Sequence, residues 1–546
     1  MSAVDRTAPA HRWRGFAFAL PVALLTLVPL LAVVWMAVTP QPEIWQHLWN
    51  YVLPRVLGNT LLLMLLVGVV VSVVGVPLAW LTAMCDFPGR KFFSWALVLP
   101  LAIPAYVLAF VQMGIFEYAG PVQSFVRDVW GNSRWFPDIR GSLWGLVMVL
   151  VMAFYPYVYL MARSAFLTQG HRSIEAAQAL GYSPVQAFFK VSLPLARPWI
   201  GAGLALVLME VLADFGAIAV FNFDTFTTAL YKSWFDLFNM TAAAQLASIL
   251  VLVVLLLLAA EQRSRSAQRF HVSNPQRHRV VLKGARRWLA LVACASVLAA
   301  SFAIPMVQML VWVGQIWREN LHSDYWGYVW NTLCLALITA AVATVLALLL
   351  SWTRRRHPDG LTAWTVRLAV LGYAMPGVVL AVGVFVPIAW LDERLLALLA
   401  PLGIESLGIL KGSLAGMLLA LAARFLAVAY NATDAAMQRI TRSQEEACAS
   451  LGLGPWQTLR RLHLPLLRTG LLSAFLMVVV DVMKEMPITL MMRQFGWDTL
   501  AVRVFQLTSE SMWQEAALPA LAIVLVGLLP VILLVLQTEK TPTSAG

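Results

Sequence analysis

The sequence predicts an all-α polytopic membrane protein, with about twelve transmembrane helices in two parallel six-helix repeats. Three observations predict it: the composition, the count of apolar runs, and a motif that recurs half a chain apart. Of the 546 residues, 60% are hydrophobic and 12% charged, with a mean hydropathy of +0.77. A soluble domain carries about 25% charged residues. The bilayer is therefore the solvent, and stretches of roughly 20 apolar residues are the units to count.

Apolar runs lie at about 15–38, 57–83, 92–116, 142–166, 199–221 and 241–260. A second set follows at about 288–314, 328–352, 363–391, 412–433, 469–492 and 516–537. Arg12 and Arg14 precede the first run, as in a signal peptide. The run is too long for one and no small-residue cleavage site follows, so it reads as a retained first helix. With the N-terminus in the cytoplasm, 27 of the 39 Lys and Arg fall on the cytoplasmic side and 10 on the outer side, while Arg424 and Lys484 lie within spans. That bias places both termini inside, as expected of a multi-pass protein of a bacterial inner membrane. It also accounts for the net charge of +12 without nucleic acid. The basic segment 261–287 lies beside the membrane, where lipid headgroups are the partner. Cys85, Cys294, Cys334 and Cys448 form no short-spaced pair, and the eight histidines show no ligand spacing. Neither a disulfide framework nor a fixed metal site is expected. No catalytic constellation is present either.

The repeat is visible at several landmarks. Glu175-Ala176-Ala177 leads to Gly181 and then Pro194, and Glu446-Ala447-Cys448 leads to Gly452 and then Pro465, with the two copies 271 residues apart. Asn59-Thr60 matches Asn331-Thr332, Trp80 matches Trp352, Pro104 matches Pro376, and Asp224-Thr225 matches Asp498-Thr499. An even number of spans per copy makes the copies parallel, related by an axis along the membrane normal. The domains are then 1–260, a linker at 261–287, and 288–546.

The motif falls in the cytoplasmic loop between the fourth and fifth spans of each half. Its local chemistry reads as helix, turn, helix. Ser443 with Glu446 has the form of a capping box, and Ser173 can cap the equivalent first helix. Gly181 and Gly452 suit a left-handed C-terminal position. Pro184 and Pro455 suit the first turn of a second helix, and Pro194 and Pro465 are expected to stop it.

The pattern Glu-Ala-Ala-(x)3-Gly, followed by Leu-Pro, resembles the cytoplasmic signature loop of ABC-importer permeases, present here once per half. The resemblance implies the type I permease fold and hairpins that dock on two separate ATPase subunits, through Glu175, Ala176, Ala177, Gly181, Pro194, Glu446, Ala447, Gly452 and Pro465. ATP and Mg would be bound by those partners, since this chain has no phosphate-binding loop of the G-x-x-x-x-G-K-[ST] form. A periplasmic binding protein would deliver the substrate. The chain is thus a transport subunit rather than an enzyme.

Two carboxylates lie in the fifth span of each half: Glu210 and Asp214, then Asp481 and Glu485. Each pair is spaced i, i+4, on one face of an unbroken helix. Charges within a span are costly and mark function by default. They either line a translocation path suited to a cation or serve structure, by pairing with cations or capping broken helices. The stretch from Leu212 to Trp234, with Asn222, Asp224, Thr227, Thr228 and Tyr231, is similar to ferric-iron permeases of the duplicated single-chain type. Thiamine permeases share the fused plan and remain an alternative substrate class. A secondary transporter driven by an ion gradient would also explain the duplication and the carboxylates, but not the paired hairpins.

Overall fold

The computed structural model describes residues 9–39, 42–133, 138–169, 177, 179–266, 279–321, 323–402 and 410–539. Among them, eleven helices are long and apolar enough to cross a membrane: Trp13–Val38, Pro42–Met84, Ala105–Trp130, Leu143–Thr168, Phe188–Ala213, Met240–Ala259, Ala285–Arg318, Asp324–Arg356, Leu414–Met437, Pro455–Met483 and Trp513–Pro530. The ninth crossing is a bent pair, Gly360–Ala374 with Gly377–Leu399, turned by 115°. Numbered in chain order, these twelve crossings answer the twelve apolar runs one for one. Among the described residues, a single short ladder interrupts the helices: β1 (Cys85–Asp86) pairs in parallel with β2 (Val280–Val281). The Leu282 N–H donates to Asp86 O at 3.1 Å. The end of the basic linker is thereby tied to the loop after the second span.

The chain packs as two compact units, and these do not divide at the sequence repeat. One comprises Met1–Pro42, Ser233–Ser248 and Leu321–Arg503; the other comprises Glu43–Lys232, Ile249–Asn320 and Val504–Gly546. The first span therefore belongs with the eighth to eleventh. Thr26 Oγ1 donates to Ala369 O at 2.8 Å, and a Cβ on Gly383 would stand 2.6 Å from Pro29 O. In the other unit, the seventh span packs beside the third. Gln112 Nε2 donates to Ala300 O at 3.1 Å, and a Cβ on Gly114 would stand 2.7 Å from the Trp312 ring. Small residues at such crossings let helix backbones approach where lipid supplies no hydrophobic drive.

The third span departs from the single helix expected over 92–116. It is built as Arg90–Ala96, a 3-10 turn at Leu99–Ala102, and Ala105–Phe116. The ninth breaks in the same way, with Gly360–Ala369, a 3-10 stretch at Val370–Ala374, and Gly377–Leu399. At both breaks a proline is the N-cap of the second helix: Pro104 at φ −56°, ψ 144° and Pro376 at φ −55°, ψ 142°. Proline has no N–H for the ladder and pushes the preceding residue into extended conformation. Ile103 (ψ 115°) and Met375 (ψ 134°) obey this. The repeated landmark Pro104/Pro376 is thus the point where a span is broken.

Replacing Gly383 by Val should drive a side chain into the backbone at Pro29, and overpacking of this kind costs about 1–3 kcal/mol. A fall of several degrees in the thermal midpoint of the detergent-purified protein is expected. Gly201→Ala, which meets nothing within 4 Å, should leave that midpoint unchanged.

Candidate functional site

The second hairpin is described in full. Its first helix runs Arg442–Ser450 and is capped by Thr441, whose side chain accepts from the backbone three residues on while Gln444 reaches back to the Thr441 N–H at 3.1 Å. The capping box expected at Ser443 and Glu446 therefore sits two residues earlier. Threonine and glutamine satisfy the same spacing, and helix assignment alone decides between the two registers. Gly452 follows at φ +75°. Its N–H donates to Ala449 O at 3.0 Å, and the Leu453 N–H donates to Cys448 O at 3.1 Å. These two bonds are the Schellman closure, which requires the left-handed residue that glycine adopts without strain.

In the first hairpin Glu175 and Ala176 lie outside the described residues, as does Ser173. Ala177 is buried, and the Tyr182 N–H donates to its carbonyl at 3.1 Å, the counterpart of Leu453 to Cys448. Gly181 has φ +87°. Ser183 and Gln186 then exchange capping bonds of 3.0 and 3.3 Å, as Gln457 caps Gly454 at 3.0 Å in the second copy. Just before each glycine a leucine stands bare, Leu180 and Leu451 each being 79% exposed.

Neither Pro194 nor Pro465 stops the second helix. A π-turn, Phe188–Ser192 or Leu459–His463, precedes each proline, and the proline falls in the first turn of the long helix that follows, Leu193–Ala213 or Leu464–Met483. The wider turn accommodates the missing N–H within a continuing helix. Each hairpin thus runs directly into the fifth span of its half.

The joint beneath the hairpins differs between copies. In the first, Trp80 packs edge-on against Phe166 and Phe188, with centroids 5.1 and 4.7 Å away. In the second, Met437, Ile440 and Leu467 form the buried cluster beside Trp352, and a polar node adjoins it. The Glu445 carboxylate meets Arg355 Nε at 3.1 Å and His463 Nε2 at 2.9 Å, while Arg355 Nη2 donates to Ile440 O at 2.7 Å. Sequence reasoning chose Glu446, which is exposed, and missed its neighbour Glu445. The available signal is the run Arg354-Arg355-Arg356 at the end of the eighth span.

The carboxylates of the fifth spans divide by task. The helices end at Ala213 and Met483, so Asp214 and Glu485 do not continue the face that carries Glu210 and Asp481. Asp214 Oδ1 accepts from the N–H groups of Ala217 and Ile218 at 3.0 and 3.2 Å. Glu485 accepts from Ile488 and Thr489 at 2.9 and 3.2 Å. Both cap the short helix that follows the break, and without a side-chain acceptor each free N–H in hydrocarbon costs several kcal/mol. Asp481 pairs with Lys484 at 2.9 Å. Glu210 has a partner of its own. Arg424 Nη1 donates to Met375 O at 3.3 Å, at the break of the ninth span. A Cβ on Gly377 would lie 2.7 Å from that guanidinium and 2.9 Å from the Glu485 carboxylate, so a larger residue there would displace one of the two.

Past these breaks, the repeated Asn-Thr and Asp-Thr landmarks meet. Asn59 Nδ2 donates to Asp224 O at 2.9 Å, and Asn331 Nδ2 donates to Asp498 O at 3.1 Å. The N–H groups of Phe226 and Leu500 donate to Thr60 and Thr332 at 3.4 and 2.9 Å. Asp224 also binds Arg55 and Lys232 at 2.9 and 2.8 Å, and Asp498 binds Arg493. In the 212–234 stretch, Thr227 donates to Asp214 O at 2.7 Å, Thr228 closes on Thr225, and Tyr231 packs on Phe215 and Phe505. Asn222 takes a left-handed turn at φ +50°. These residues hold the backbone after the break. Among the described residues, no group of three or more His, Cys, Asp and Glu converges as a metal site would.

Comparison with known proteins agrees with this architecture. The family of binding-protein-dependent transport system inner membrane components matches twice, over residues 75–265 and 343–539. A Fe(3+)-transport system permease protein of Haemophilus influenzae is 27% identical over 525 residues, covering 94% of this chain and 96% of that one. A ferric transport system permease protein of Actinobacillus pleuropneumoniae is 25% identical over 460 residues, 79% of this chain and 63% of that one. A sulfate transport system permease protein of Salmonella typhimurium is 29% identical over 248 residues, covering 43% of this chain and 86% of that one. With two family segments, twelve crossings and one signature hairpin in each segment, the chain belongs to the family of binding-protein-dependent transport system inner membrane components, as a fused two-repeat ABC-importer permease.

Proposed function

We propose that this permease imports ferric iron by alternating access, with a periplasmic binding protein delivering the substrate and two ATPase subunits driving the cycle from the cytoplasm. Both termini and both hairpins face the cytoplasm in this reading, following the distribution of Lys and Arg. The observation that carries the ATP-coupled part is the matched pair of hairpins, each with a bare leucine and a left-handed glycine at its turn and each continuous with a span. A leucine seated in a partner groove gains about 1.5–3 kcal/mol over one left in water. An isolated exposed leucine needs no explanation, but two at the same place in two repeats fit a shared docking role. ATP binding would draw the hairpins together, and the continuous helices would carry that displacement into the fifth spans. ATP and Mg belong to the partner subunits.

Ferric iron is favoured because the likeness to a Fe(3+)-transport permease runs through both repeats, whereas the likeness to the sulfate permease spans less than half of this chain. Hard cations take oxygen ligands. Glu210 and Asp481 would line the path, and Asp214 and Glu485 would shape it by holding the two breaks.

Gly181→Pro or Gly452→Pro cannot adopt positive φ and should abolish uptake and ATPase stimulation while the protein still inserts in the membrane. Normal uptake and stimulation in both variants would remove the coupling role. Leu180→Asp with Leu451→Asp should weaken co-purification of the ATPase subunits at least tenfold, about 1.4 kcal/mol. For the substrate, cells expressing the complete transporter should accumulate radiolabelled ferric iron in preference to labelled thiamine and sulfate. Accumulation of thiamine or sulfate instead would reassign it.

A further inference from the structure

We propose that Glu445 is a positioning residue for coupling, clamping the second hairpin to the ends of the eighth and eleventh spans so that hairpin and spans move as one lever. The proposal rests on the reading of the hairpins as handles for ATPase subunits and extends it to the joint behind one of them.

Glu445 lies in the first helix of the hairpin, Arg355 is the next-to-last residue of the helix Ser323–Arg356, and His463 closes the π-turn that opens the eleventh span. One carboxylate therefore ties three elements. Arg355 Nε reaches both carboxylate oxygens, at 3.1 and 3.4 Å, and Nη2 reaches Oε2 at 3.3 Å. The same Nη2 holds Ile440 O at 2.7 Å, where the tenth span ends and the hairpin begins. His463 is buried, and its Nδ1 has no hydrogen-bond partner among the described residues, so its Nε2 contact with Glu445 is the polar contact that orients the ring. Arg355 and Glu445 are only 21% and 26% exposed, so salt screens them less than a surface pair.

Among the described residues, the first repeat shows no such node. With an offset of 272 at the second span and 271 in the hairpin, Arg355, Glu445 and His463 fall on Ala83, Ile174 and Ser192. Ala83 is buried, Ser192 Oγ is buried without a partner among the described residues, and Ile174 lies outside them. The aromatic group of Trp80, Phe166 and Phe188 occupies the joint there. A forked guanidinium on a carboxylate fixes an angle as well as a distance, whereas apolar contact is non-directional and tolerates sliding. Among the described residues, the second joint thus adds a directional ionic clamp to its apolar cluster, where the first shows ring contacts alone.

The test uses the complete transporter in liposomes, this chain with its ATPase subunits and binding protein, and reads radiolabelled ferric iron moved per ATP hydrolysed. Glu445→Gln should lower that ratio at least threefold while the ATPase subunits still co-purify in wild-type amount. Arg355→Met should do the same, and the double variant should be no worse than the poorer single, the mark of one shared interaction. Arg355→Lys, which keeps the charge and the fold but loses the fork, should fall between wild type and Arg355→Met. A wild-type ratio in Glu445→Gln and Arg355→Met, or losses that multiply in the double variant, would overturn the proposal. Should Glu445→Gln fail to fold, Arg355→Lys decides, and a wild-type ratio there overturns it. ATP-independent uptake by the wild-type protein would instead overturn the importer reading beneath it.

Discussion

The structure depends on one constraint: within hydrocarbon, every backbone N–H and C=O must find its partner inside the protein. This chain breaks its third and fifth spans in each repeat and must supply partners at every break. At the third-span breaks the demand is reduced, because Pro104 and Pro376 have no N–H to satisfy. At the fifth-span breaks it is met by acid side chains, Asp214 and Glu485, which accept from the first free N–H groups of the next helix. Beyond the break, Asn59 and Asn331 bind the carbonyls that have left the helix. A membrane charge that looks like a substrate ligand in sequence can therefore be a helix cap in space.

Much of the fold was legible in the sequence, because its determinants are periodic and repeated. The twelve apolar runs, the hairpins, and the left-handed glycines Gly181 and Gly452 follow from length, turn chemistry and the 271-residue offset. The landmarks Pro104/Pro376 and Asn59/Asn331 were visible as repeats, but their work was not. A proline in an apolar run does not announce whether a helix kinks or stops, and an asparagine does not announce which distant carbonyl it binds. Likewise, the i, i+4 spacing of Glu210 with Asp214 and of Asp481 with Glu485 implied a shared face only while the helix continued. Pro194 and Pro465 misled in the other direction, since a π-turn absorbs what a regular helix would not. The division of packing into two units was also hidden, because which span covers which is set by small-residue contacts such as Gly383 against Pro29.

The site was legible as a motif and much less as a mechanism. The repeat singles out Glu446 because it aligns with Glu175, and repetition favours what the two halves share. The polar node at Glu445 is what they do not share. A duplicated chain fused into one polypeptide is free to let its halves diverge, and here the divergence lies at the joint between hairpin and spans. The motif is kept in both copies, while behind it the described residues show ring contacts in the first and an apolar cluster with an ionic node in the second.

The central claim, that both hairpins are handles for ATPase subunits, is tested most directly by crosslinking from the two exposed leucines. With cysteine at position 180 or 451 and a short thiol-reactive crosslinker, each position should capture an ATPase subunit in membranes containing the complete transporter, and nucleotide should change the yield. Modification of either cysteine by a membrane-impermeant thiol reagent added outside intact cells, with no capture of an ATPase subunit, would contradict it.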